Sequence, residues 1–101
     1  MKGAAMSLLT HPSHPGEVLS ELYLGPLGMK APTLAKQLRV PRTRIERLVK
    51  GETALTADTA MRLAAFFQTT PEYWMNLQRA WDLARARETV DVSDIKPLHA
   101  A

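Results

Sequence analysis

At 101 residues, with 46 % apolar and 23 % charged side chains, the chain has the size and composition of one ordinary globular domain. It has no cysteine, which excludes a disulfide framework and a thiolate metal site and fits a cytoplasmic setting, and no apolar run approaches the roughly 18 residues of a membrane span. The net charge is only +3, yet six basic residues fall between Lys36 and Lys50 against one acid, Glu46, and acids outnumber bases elsewhere. A basic patch on a slightly acidic body is the footprint of a nucleic-acid binder, although a solvated basic face has the same composition.

Residues 1–13 have neither an apolar core region nor a cleavage site of a signal peptide, and read as a flexible arm. In "HPGEVLSELYL", Pro15 at a first helical position and Glu17 in the first turn predict a helix start. Val18, Leu19, Leu22 and Tyr23 form its apolar stripe, and Gly25, Pro26 and Gly28 are expected to end it. A second helix should begin near Pro32 and bury Leu34, Ala35 and Leu38; "RVP" breaks it, because the residue before a proline avoids the helical region. A third should start at Pro41 or Arg42, bury Ile45, Leu48 and Val49, and stop at Gly51 as a left-handed cap.

Thr56 reads as the cap of a fourth helix, with Asp58 in its first turn and Met61, Leu63, Ala64, Phe66 and Phe67 as core candidates. Thr70, Pro71 and Glu72 repeat the device for a fifth, expected to reach about Arg87 with Trp74, Leu77, Trp81 and Ala84 along one face. Trp74, Leu77 and Trp81 are assigned to core and dimer packing, whereas Tyr73 and Met75 point elsewhere and are candidates to face a partner. The domain is thus placed at 14–88, all-α and five-helical, followed by a tail, 89–101, whose brief alternation in "TVDVSDI" fits a short strand or a disordered end.

Two short helices joined by a three- or four-residue break suggest a helix-turn-helix. In that unit the outward positions at the start of the second helix reach the DNA major groove, here Arg42, Thr43, Glu46 and Arg47, with Arg44 nearby and Lys50 at the far end. Arginine can bond guanine O6 and N7 together, and DNA would supply the counter-charge that three arginines at the positive end of a helix dipole lack.

"TLAKQLRVPRTRIERLVKG" resembles the helix-turn-helix of the lambda-repressor-like, or Xre, family. With "HPGEVLSELYLGPLG", "TADTAMRLAAFFQTTPEYWMNLQ" and "WDL", residues 14–84 closely resemble the HigA-type antitoxins, also called virulence-associated protein I-like regulators. The resemblance implies a five-helix, homodimeric, cytoplasmic protein, nucleoid-associated when bound to DNA. It implies binding to double-stranded operator DNA, repression of its own operon and neutralisation of a RelE-like, mRNA-cleaving toxin. It places base-reading positions at Arg42, Thr43 and Arg47, and backbone-anchoring positions at Thr33, Gln37, Arg44 and Lys50. The turn position that is usually glycine is Arg39 here, so either Arg39 takes a left-handed conformation at roughly 1 kcal/mol or the turn is shaped differently.

Other classes fare worse. His11, His14 and His99 do not form a zinc site, and neither metal nor cofactor is expected. Ser7, Ser13 and Ser20 have no evident histidine–acid partners and no glycine-rich phosphate loop exists, so the chain is not read as an enzyme. An RNA module is disfavoured because the basic segment has no aromatic residue to stack on bases. Two alternatives stay open: a stand-alone Xre-type regulator without a toxin, and a toxin-masking module in which DNA binding is secondary.

Overall fold

The computed structural model describes residues 12–99. Most of the expected arm, including His11, lies outside the described residues. Among the described residues there are five helices and no strand. They are α1 (15–27), α2 (Ala31–Leu38), α3 (Arg42–Val49), α4 (Ala57–Phe67) and α5 (Pro71–Thr89).

The helix starts follow the capping chemistry of the sequence. The Oγ1 of Thr56 accepts the Thr59 N–H at 3.3 Å, and that of Thr70 accepts the Tyr73 N–H at 3.1 Å. At α1 the cap is His14, whose Nδ1 accepts the Gly16 N–H at 2.9 Å. Gly51 has φ 74° just beyond α3, as its place in the sequence predicts.

α1 differs from the expectation. It runs through Gly25 and Pro26 to Leu27 and ends at Gly28, φ 62°. Its middle, Leu19–Leu24, is wound with wide i→i+5 turns. Pro26 accounts for this: a proline has no N–H and its ring crowds the carbonyl four residues back, which a wide turn moves aside. The extra residue per turn rotates Leu22 out to 48 % exposure and puts Leu24 in the core instead.

The core gathers Leu19 and Leu24 of α1, Leu34, Ala35 and Leu38 of α2, Ile45 and Leu48 of α3, Ala60, Leu63 and Ala64 of α4, and Trp74 of α5. Met61 and Phe66 do not join it and stand exposed, because the buried face of α4 runs Ala60, Leu63, Ala64, Phe67, the helical spacing i, i+3, i+4, i+7. Trp74 is fully buried, with its indole Nε1–H donating to Thr69 Oγ1 at 2.8 Å and its ring against Tyr23 and Phe67. Leu77 and Trp81 are only partly buried. Tyr73, expected to point away from the core, is half-buried and within 3.2 Å of the Tyr23 hydroxyl, which donates to it. Burial and that hydroxyl push the Tyr73 phenol up to about 12. Met75 is exposed. The tail beyond α5 turns at Asp91–Ser93, where the Ser93 N–H donates to Asp91 Oδ1 at 2.9 Å, and forms no strand as far as residue 99.

Candidate nucleic-acid interface

α2 and α3 are joined by Arg39, Val40 and Pro41. Arg39 takes φ 59°, ψ 46°, the left-handed conformation, so the turn keeps the shape a glycine would give it. That conformation lets the Arg39 N–H reach Lys36 O at 3.2 Å and the Val40 N–H reach Ala35 O at 3.0 Å, which closes the end of α2. Val40 tucks partly against the core, and Pro41 begins α3 with the Arg44 N–H donating to its carbonyl at 3.1 Å. Ile45 and Leu48, both buried, fix the inner side of α3. Arg42, Thr43, Arg44 and Arg47 are consequently exposed.

The back of α3 is held closely by α1. A Cβ on Gly16 would overlap the Leu48 carbonyl, so only glycine lets the two backbones meet there. Beside this contact His14 packs edge-on to Trp81, ring centres 5.4 Å apart, and the Arg85 guanidinium lies 5.2 Å from the Trp81 ring centre. Burial lowers the His14 imidazole below its ordinary value, against smaller opposing effects of a hydrogen bond to the Thr53 backbone and the Asp82 and Glu17 charges. The link between α3 and α4 is pinned from α5: the Leu55 N–H donates to the buried Gln78 Oε1 at 2.7 Å, and Gln78 Nε2 donates to Asp82 at 2.8 Å.

Thr43, Arg44 and Arg47 line one open groove of about 420 Å³ with Pro41, Thr53, Thr56 and Asp58. The other sequence-selected residues are exposed but spread out. Thr33 and Gln37 lie on α2, Gln37 beside Arg39 and Arg62, while Lys50 closes the opposite end of α3 near His14 and Trp81. Arg42 lies 3.9 Å from Glu46 one turn on, a loose and largely solvated pair. Arg47 has no ion pair among the described residues.

Arg44 is engaged differently. Its Nη1 donates to Asp58 Oδ1 at 2.7 Å, and the same oxygen accepts Arg62 Nε at 2.7 Å. Arg62 Nη1 donates in turn to the Leu38 carbonyl at 2.8 Å, at the end of α2. The bonds from Arg62 and then Arg44 hold the Asp58 carboxyl below its usual range. Asp58 is thus more than the first-turn acid that its place after Thr56 predicts: the i,i+4 spacing to Arg62 is legible in the sequence, the link to Arg44 is not.

Residues 21–74 match the Helix-turn-helix family. The chain is 45 % identical over 75 residues to virulence-associated protein I of Dichelobacter nodosus, covering 74 % of this chain and 69 % of that protein. It is 39 % identical over 85 residues to antitoxin HigA-1 of Vibrio cholerae, covering 82 % and 80 %. The Pseudomonas aeruginosa antitoxin HigA, solved with the higBA promoter, superposes with a TM-score of 0.79 at 31 % identity, covering 88 % of this chain and all of that one. A helix-turn-helix with this order of helices, and relatives of this likeness, place the chain in the Xre-type helix-turn-helix family, with the HigA antitoxins and virulence-associated protein I.

Proposed function

We propose that this protein is a sequence-specific DNA-binding antitoxin that represses its own operon as a homodimer and neutralises an RNA-cleaving toxin. The observation that carries the DNA reading is the presentation of Arg42, Thr43 and Arg47 on the outer face of a helix whose inner face is anchored by Ile45, Leu48 and the Gly16 contact. Arginines presented in this way can bond guanine edges in the major groove, each good pair contributing about 1–3 kcal/mol of discrimination. Thr33 and Gln37 on α2 and Lys50 at the far end of α3 are exposed and are the phosphate-contact positions that the resemblance implies, and the Pseudomonas HigA solved with the higBA promoter, which shares the fold, supports DNA as the partner. α5 supplies the dimer surface, so that two copies of α3 enter successive major grooves about 34 Å apart.

Gel-shift titration on the protein's own upstream DNA tests the reading. Arg42→Ala and Arg47→Ala should each weaken operator binding by about tenfold or more while the fold melts unchanged, as expected for loss of a base contact. Unchanged affinity in both variants would remove α3 from the interface. Co-purification with the product of a neighbouring small basic reading frame tests the antitoxin part separately.

A further inference from the structure

The three arginines of α3 are not equivalent. Arg42 and Arg47 project into solvent, whereas Arg44 shares the Asp58 oxygen with Arg62, and Arg62 is itself fastened to the Leu38 carbonyl. One carboxylate therefore ties the first turn of α3 to the first turn of α4 and, through Arg62, to the end of α2. It links both helices of the helix-turn-helix to the helix behind them.

We propose that Asp58 is a positioning residue that withholds Arg44 from DNA phosphate and spends that cation on fixing the angle at which α3 presents Arg42 and Arg47. This rests on the reading that α3 faces DNA. The family resemblance groups Arg44 with the backbone-anchoring positions; the ion pair gives it an intramolecular part instead. A cation that neutralises a phosphate releases a counterion and steepens the salt dependence of binding by about 0.9 in log–log slope. A cation already held by a carboxylate on its own chain releases none. All three side chains are partly solvated, but Asp58 is also restrained by Arg62, which is bonded to the Leu38 carbonyl, so its pairing with Arg44 costs less side-chain entropy than an isolated surface pair would.

Fluorescence anisotropy across a salt series, on the protein's own upstream duplex and on an unrelated duplex, separates the alternatives. Arg44→Ala should leave the slope unchanged on both duplexes. Asp58→Asn, which keeps the side-chain shape, should steepen it by about one ion, enlarging the affinity loss from 50 to 200 mM salt by about three- to fourfold. Asp58→Glu should restore the original slope, and Asp58→Asn should have no effect in the Arg44→Ala background. A slope that becomes shallower by about one in Arg44→Ala overturns the proposal, since Arg44 would then be a phosphate contact. Steepening by Asp58→Asn that survives without Arg44 overturns it as well. The slope on unrelated DNA needs only phosphate, so it tests the Asp58 hold even if the unsubstituted protein shows no operator preference; that last result would defeat the operator reading alone.

Discussion

Arg39 occupies a conformation that costs a non-glycine residue roughly 1 kcal/mol, and the two backbone hydrogen bonds it makes possible at the end of α2 are what hold it there. The motif's shape was legible from the position of Arg39 before Val40 and Pro41; which of two turns the chain would accept was not, because the two hydrogen bonds that outweigh the strain form only on the folded backbone. His14 offers a pH test. Its ring accepts the Gly16 N–H through Nδ1 and is held below its ordinary pKa mainly by burial, so the folded state favours the neutral form. Between its folded pKa and the unfolded value of about 6.5 the unfolded chain binds more protons, and stability therefore rises with pH. The His14 contribution is present above about pH 6.5 and is lost as the pH falls through the lowered folded pKa. Denaturant midpoints between pH 7 and 5 should fall in the native protein and fall less in His14→Asn, which retains a capping oxygen. Equal slopes in the two proteins would exclude His14 as the titrating group.

Gly16 sets the spacing between α1 and α3, and a methyl there meets backbone rather than a side chain that can turn away. Gly16→Ala should destabilise the fold by about 1–3 kcal/mol, the range for overpacking, and should weaken operator binding beyond the loss of stability because α3 shifts as a unit. Thermal melts together with operator affinity measured well below the melting range check both halves; a stable variant with native affinity would refute the close contact. At this scale much was legible. The Thr56 and Thr70 caps, the Pro41 start and the Gly51 stop are local, and the helices they bound lie within a few residues of expectation. The wide turn of α1 was not, because a proline in mid-helix signals a stop equally well as a rewinding, and the choice depends on what Leu24 can pack against. Nor was the Arg44–Asp58 pair, which spans 14 residues and depends on how α3 and α4 cross.

For the molecule as a whole, the separation of charge is the feature that composition exposed and the fold organises. The basic stretch from Lys36 to Lys50 contributes its apolar residues to the core and turns Arg42, Thr43 and Arg47 outward together. No helix among the described residues is long and apolar enough to cross a membrane. If two such arginine faces read guanines in successive major grooves, as proposed, methylation interference on the protein's own upstream DNA will reveal it. Methylating guanine N7 should abolish binding at two clusters whose centres lie about 10 base pairs apart, with N3 methylation of adenine in the minor groove having little effect. Binding indifferent to N7 methylation, or interference confined to the minor groove, would contradict it.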